Sequence, residues 1–398
     1  MQSSLVGTKT AEPDSAPVGL EPPLSLYVHF PWCVKKCPYC DFNSHPQRHI
    51  LDQQRYIDAL IRDLENDIRI YPGSRKLSSI FMGGGTPSLF AGTAIDCLLR
   101  EIRLRLEFDE TIEITLEANP GAVEHDDFAA YRTAGVNRLS LGVQSFNSTH
   151  LKNLGRIHSA KDARLSIQAA QDSGFSNINL DLMYGLPGQT TESAVHDLEA
   201  ALEFSPTHLS LYQLTIEPNT LFHRYPPVLP EHDRIIEIQQ VLLDRLRRHD
   251  YQQYEVSAYA RSGMQCRHNL NYWQFGDYLG IGAGAHGKMS QGSEIIRYWK
   301  QKHPQRYLEA AGSTQGIGDC GAIADADVIF EFLMNALRLR GGFDVSLALA
   351  RTGRDIDEML ILLDQAISRK LVIVDQSRIR CSEKGYLFLD EILQQILP

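Results

Sequence analysis

Six short apolar runs alternate with longer stretches of helical spacing, and this rhythm leaves few folds open to the chain. The runs are Leu24–Phe30, Ser78–Met82, Glu113–Asn119, Arg138–Gln144, Asn177–Tyr184 and His208–Leu214, with Tyr254–Ala260 as a seventh candidate. Between them, 51–70, 92–106, 160–173, 192–204 and 232–249 carry apolar residues at helical spacing, as in Leu51, Ile57, Leu60, Ile61, Leu64 and Ile68. Repeated strand, helix, strand predicts right-handed βαβ units and a parallel sheet. A parallel strand covered on both faces is apolar throughout, but these runs alternate. Glu113, Thr115, Glu117 and Asn119 share one face of the third, opposite Ile114, Leu116 and Ala118. Ser140, Gly142 and Gln144 oppose Leu139, Leu141 and Val143, and Asn177, Asn179 and Asp181 oppose Ile178, Leu180 and Leu182. One face meets helices and the other a polar space. An α/β fold follows, an incomplete (β/α)6-type barrel whose wet lumen holds a cofactor. The residues best suited to chemistry fall at strand C-terminal ends, where such barrels place their sites.

The rhythm changes after about residue 320. Residues 325–340 and 355–369 look helical, Leu371–Val374 and Arg378–Cys381 flank a polar turn as a hairpin does, and a last helix fills 383–397. The expected organisation is a flexible tail over 1–23, the partial barrel and its extension over 24–290, a linker over 291–324, and a helical, winged-helix-like domain over 325–398. With 39 Lys+Arg against 49 Asp+Glu, the net charge of −10 argues against a broad nucleic-acid groove. The N-terminus has no apolar export segment and no run is long enough to span a bilayer. The expectation is a cytoplasmic protein whose seven cysteines are reduced.

Three of those cysteines, Cys33, Cys37 and Cys40, form a CxxxCxxC cluster just after the first run, while Cys97, Cys266, Cys320 and Cys381 are scattered. Three thiolates on one loop can grip three corners of an iron–sulfur cubane and leave the fourth iron open to a small molecule. Lys35 and Lys36 offset the charge of such a cluster. Structural zinc is the alternative, with His29 or His45 as the fourth ligand. The compartment disfavours a disulfide.

After the second run comes Gly83-Gly84-Gly85-Thr86-Pro87, a loop whose backbone can approach a ligand closely. By itself it is most often just a turn, and Glu117, Gln144, Arg156 and Asp181 are each equally well read as solvated polar residues. Together with the cysteine loop, these motifs resemble the radical S-adenosylmethionine (SAM) superfamily, from about residue 24 to the C-terminus. The resemblance implies a [4Fe-4S] cluster on Cys33, Cys37 and Cys40, whose open iron chelates SAM. Gly-Val-Gln-Ser-Phe, Leu-Gly-Arg-Ile-His and Asp-Leu-Met-Tyr-Gly-Leu-Pro-Gly are similar to the coproporphyrinogen-dehydrogenase-like branch. There, the resemblance implies, Gly84, Gly85, Thr86, Glu117, Gln144, Arg156 and Asp181 line a site for SAM or a second SAM. Tyr27 and His286 match further SAM-contacting positions, and Tyr39 fits an aromatic beside the cluster. A packed core aromatic for Tyr39 and a surface residue for His286 are the plain alternatives.

Two subtypes of this branch differ at readable positions. The oxygen-independent coproporphyrinogen III oxidase carries a fourth cysteine, where this chain has Phe42, and a longer N-terminal segment than the 32 residues preceding Cys33. His268-Asn269-Leu270-Asn271-Tyr272-Trp273 reads HNxxYW, the pattern of the branch's heme-carrying subtype. A neutral imidazole is a natural axial ligand to heme iron, and Tyr272 and Trp273 can lie against a macrocycle. Without the resemblance, a buried turn with His268 as its cap and Tyr272 and Trp273 in the core is the better account. With it, the expectation is a heme-binding radical SAM protein that delivers heme to apo-hemoproteins, with the oxidase as the alternative. Implied partners are heme or a related porphyrin, an electron donor, apo-hemoproteins and transient membrane contact through them. Radical SAM modification of tRNA is disfavoured by the charge.

Overall fold

The structure, a computed structural model, describes residues 21–121 and 125–397, the side chains of 125–127 excepted. The tail expected over 1–23 lies, up to residue 20, outside the described residues. Six parallel strands form the centre of one sheet: β1 (Leu24–Phe30), β2 (Leu77–Gly84), β3 (Phe108–Ala118), β4 (Arg138–Gln144), β5 (Ile178–Tyr184) and β6 (His208–Gln213). Beyond β6 lie β7 (Gln252–Gln253) and β8 (Ala258–Ala260), both antiparallel, so the seventh run shortens to a return strand. On the other flank β9 (Asp277–Ile281) runs parallel to β1, followed by antiparallel β10 (His286–Gln291), β11 (Glu294–Lys300) and β12 (Ile317–Ala322). The spatial order is β12-β11-β10-β9-β1-β2-β3-β4-β5-β6-β8-β7, and its two edges do not pair with each other among the described residues. The barrel is therefore open, as the sequence implied.

Helices α1 (Gln53–Ile70), α2 (Gly92–Arg105), α3 (His125–Ala134), α4 (Ala160–Asp172), α5 (Thr191–Leu202) and α6 (His232–Arg248) cover the outer face. Side-chain caps set several of their starts: Asp52 accepts from the Arg55 N–H, and Ser159 with Asp162 and Thr190 with Ser193 form reciprocal capping boxes. Helix α3, which the spacing did not announce, is held by its Tyr131 hydroxyl donating to the Phe90 carbonyl at 2.7 Å. Leu26, Val28, Ile80, Met82, Leu139, Leu141 and Leu180 pack against these helices in one continuous core.

The inner face is polar and laid out in layers by the strand register. Ser25, Ser79 and Glu113 lie side by side. Above them Thr115 neighbours Arg138, and above those come Glu117, Ser140, Asn179 and His208 in one row.

Residues 291–324, read from the sequence as a linker, instead hold β11, a helix over Pro304–Ala310 and β12. Lys300, at the end of β11, is buried and bonds Asp63 and Asp67 of α1 at 2.6 and 2.5 Å, which fixes the extension to the barrel. The C-terminal part has its own core. It contains helices Asp325–Ala336, Val345–Thr352 and Ile356–Ser368, then a hairpin of Val372–Asp375 and Arg378–Cys381 joined by Phe343–Asp344. This is the winged-helix-like arrangement. The final helix is split at Phe388 into Glu383–Leu387 and Leu389–Gln395.

Candidate functional site

The cysteine loop leaves β1 and is closed at its base by parallel pairing of Trp32–Cys33 with His45–Pro46. Asn43 ties it to the sheet extension, donating through Nδ2 to the carbonyls of Ala283 and Lys302 at 2.8 and 2.9 Å. Cys33, Cys37 and Cys40 are free thiols, partly buried, and all three line one cavity of 390 Å³ at the C-terminal ends of the central strands. Arg156 Nη1 lies 3.6 Å from Cys37 Sγ, and Ser44 Oγ lies 3.6 Å from Cys40 Sγ. Burial pushes the Cys33 thiol up.

Among the described residues no group of three His, Cys, Asp or Glu side chains converges as a single metal ion needs. A cubane asks for something else: each thiolate takes a different iron. Three thiols facing one cavity, with a guanidinium beside one sulfur, fit that demand.

The glycine loop follows β2. Gly84 has φ +108°, and a Cβ there would sit 2.4 Å from the His29 ring. A Cβ on Gly85 would lie 2.5 Å from the Trp32 carbonyl oxygen, so this backbone is pressed against the base of the cysteine loop. The Gly84 N–H donates to Glu117 Oε2 at 3.2 Å. Thr86 accepts from Asn119 Nδ2 at 2.9 Å, and Arg156 Nη2 donates to Asn119 and to the Gly142 carbonyl at 2.5 and 2.8 Å. Burial, then the Asp181 charge, push the Glu117 carboxyl up to about 7, against the Gly84 N–H. Asp181 is also raised by burial, although Asn179 and Ser140 donate to it at 2.8 and 3.3 Å. Gln144, at φ +66°, turns off the end of β4.

Of the residues singled out from sequence, the cavity brings together the three cysteines, Tyr39, Gly84, Gly85, Thr86, Glu117, Gln144, Arg156 and Asp181. Tyr27 stands outside its lining, with its hydroxyl 3.0 Å from His29 Nδ1 and its ring stacked on Phe81. His286 is exposed at the start of β10 with its ring near Trp299.

The HNxxYW motif forms a short helix, α7 (Arg267–Trp273), which closes the lumen at the opposite end from the cysteine loop. The Arg267 and His268 N–H groups donate to Glu113 Oε1 at 2.9 and 3.4 Å, His268 Nδ1 lies 3.2 Å from Ser79 Oγ, and Asn271 Nδ2 donates to Ser25 Oγ at 2.9 Å. The polar row at the strand starts needs partners, and α7 supplies them. His268 is only 8% exposed, and burial, then Arg138, drive its pKa down to about 3. Tyr272 packs on Trp273 and Tyr278, and the Arg338 guanidinium covers Trp273 at 4.4 Å. Tyr272 and Trp273, expected to lie against a macrocycle, pack here on protein side chains, and Asn269 is the part of the motif that lines the cavity. Arg138, Asn119, Asn179 and His208 also line it and were not singled out from sequence. Alternation had put Asn119 and Asn179 on the inner face, but nothing local distinguished Arg138 from an ordinary strand start.

A partial barrel with a three-thiol loop over a polar lumen defines a radical SAM protein. The pattern of the radical SAM superfamily matches residues 27–201, and that of the HemN C-terminal domain matches 323–388. Heme chaperone HemW of Haemophilus influenzae is 48% identical, covering 94% of this chain and 98% of that protein. Heme chaperone HemW of Escherichia coli is 47% identical over the same shares. Coproporphyrinogen III oxidase (HemN) from Escherichia coli superposes with a TM-score of 0.80 at 27% identity, over 94% of this chain and 90% of that one. The chain belongs to the HemW family. As a radical SAM protein it takes a [4Fe-4S] cluster and SAM as cofactors. No helix among the described residues is long and apolar enough to cross a membrane.

Proposed function

We propose that this protein binds heme and passes it to apo-hemoproteins as a heme chaperone, with the cluster and SAM bound at its lumen. The observation that carries this is kinship with heme chaperones at 48% identity across both the barrel and the C-terminal domain. Phe42 agrees with it, standing 61% exposed at the cavity where the oxidase carries another cysteine. Cys33, Cys37 and Cys40 hold the cluster, which when bound supplies an electron to SAM. Arg156 offsets the Cys37 thiolate, Gly84 and Gly85 let the backbone meet SAM, and Glu117 accepts from its ribose hydroxyls. Gln144 and Asp181 face the same space, where a second SAM or part of a porphyrin fits, and Tyr39 covers the cluster side. Tyr27 and His286 support the SAM site from outside the lining. An electron donor, apo-hemoproteins, transient membrane contact through them and a cytoplasmic location complete the proposal.

The oxidase is the second reading, favoured by the 0.80 TM-score and the complete polar lumen. An anaerobic assay with SAM, reductant and an electron acceptor, run beside a heme titration, separates the two. Tight heme binding without conversion of coproporphyrinogen III is expected, and multiple-turnover decarboxylation would overturn the chaperone. His268 is buried with Nδ1 3.2 Å from Ser79 Oγ, so to serve as an axial ligand to heme iron it would have to leave that contact. His268→Ala then shifts or abolishes the Soret band and leaves the cluster absorption intact. An unchanged Soret band moves the ligand elsewhere and keeps the chaperone.

A further inference from the structure

Arg138 opens β4, lines the cavity and is only 2% exposed. No hydrogen bond holds its guanidinium among the described residues, and its Nε is buried without a partner. A buried cation in that condition is costly unless charges around it compensate. Three acids do so by position. Glu113 lies one layer below and Glu117 one layer above, since Thr115 neighbours Arg138 and Glu117 neighbours Ser140. Asp181 stands on β5, two residues beyond the Asn179 that neighbours Ser140.

These acids are not equivalent. Glu113 is engaged by the Arg267 and His268 N–H groups, and Asp181 by Ser140 and Asn179. Glu117 receives the Gly84 N–H at 3.2 Å, and burial and Asp181 both press it towards its neutral form. The other groups packed around Arg138 bring no charge to help. His208 and His268 are held neutral by burial, and burial also raises the Cys266 thiol and the Tyr254 phenol. Arg156, across the cavity, is committed to Cys37, Asn119 and the Gly142 carbonyl.

We propose that Arg138 is a positioning residue for the SAM site: from one layer beneath, its charge favours the ionised form of Glu117, the form that accepts the ribose hydroxyls. This rests on the Glu117 contact proposed above. A positive charge one strand layer away in a low-dielectric lumen acts without a direct bond.

The test is equilibrium SAM binding to the cluster-loaded full chain across about pH 5.5 to 9, for wild type, Arg138→Gln, Arg138→Lys, Glu117→Gln and the double variant Arg138→Gln/Glu117→Gln. The amino group of SAM titrates in all of them near pH 8, so only differences between variants are read. Arg138→Gln is expected to raise the midpoint of the affinity rise by about one pH unit, weakening binding about tenfold at pH 7 and little at pH 9. Arg138→Lys keeps the wild-type midpoint, and Arg138→Gln adds no shift in a Glu117→Gln background. A uniform loss at every pH, or a Lys variant displaced as far as the Gln variant, overturns the proposal and leaves Arg138 a packing residue. Binding indifferent to Glu117→Gln removes the ribose contact and this inference with it. If Arg138→Gln loses its cluster or fold, the Lys variant against wild type decides.

Discussion

Glu117 and Gly84 show how little latitude single positions have at the lumen mouth. Glu117 has a carboxyl pushed up to about 7, because burial penalises the charged form. Because its folded pKa is raised, its contribution to stability is present at low pH and falls away as pH climbs through 7. SAM reverses the preference, since ribose hydroxyls donate to a carboxylate. Affinity therefore rises with pH across that value. Glu117→Gln, with one acceptor and no charge, is expected to weaken SAM about tenfold or more above neutrality and to flatten this part of the pH profile. Calorimetric or filter-binding titrations at two pH values check it. Gly84→Ala is expected to be worse than any polar change in the loop. Its φ of +108° strains a side chain, and the new methyl meets the His29 ring at 2.4 Å. His29 is itself hydrogen-bonded to the Asn43 carbonyl at 2.9 Å, so the cysteine loop must shift with it. Iron content after anaerobic reconstitution, compared with wild type, should fall to a small fraction.

Helix α7 is the element whose sequence said most and whose position said something different. Its Asn271 donates to Ser25 Oγ and to the Asp277 carbonyl, both at 2.9 Å, and is buried between β1 and β9. Asn271→Ala removes both bonds, leaving Ser25 Oγ only its serine neighbours, and is expected to cost about 1–3 kcal/mol in urea unfolding, with the iron–sulfur spectrum unchanged. The six central strands and the helices between most of them were legible because alternation and helical spacing are local signals. The lumen face was legible for the same reason, down to Glu117 and Asp181. Helix α3 escaped because its charged, small-residue sequence carries little periodicity, and it is secured by Tyr131 reaching another loop. Strand β11 escaped although Glu294–Lys300 is rich in β-branched and aromatic residues, a strand signal. What α7 packs against depends on Ser25, Ser79 and Glu113, residues on three separate strands, and no local pattern reports such an encounter.

Across the whole molecule, the sheet extension works as a clamp on the cysteine loop. Asn43 is held by carbonyls of Ala283 and Lys302, and Lys302 lies two residues beyond Lys300, the buried cation between Asp63 and Asp67. The Tyr307 and Tyr298 hydroxyls complete the network, donating to Asp63 and Asp67 at 2.8 Å. Burial raises the Asp67 carboxyl to about 7 even with Lys300 beside it. Removing the ammonium leaves two buried carboxylates facing each other. Lys300→Ala is expected to cost about 3–5 kcal/mol, the range for breaking a buried pair from one side. The sign of its pH dependence follows from the raised pKa. The Asp67 carboxyl is neutral at low pH and the variant suffers less there, whereas as pH climbs through 7 its charge goes without the Lys300 partner and the loss grows. Urea unfolding at about pH 5.5 and pH 8 should therefore give a larger wild-type-to-variant gap at the higher pH. Cluster absorbance should disappear at lower urea than in wild type, because the loop loses the frame that carries its Asn43 anchor. A gap that is the same at both pH values would mean that Asp67 does not titrate against Lys300. Cluster loss unchanged in urea would uncouple the extension from the loop.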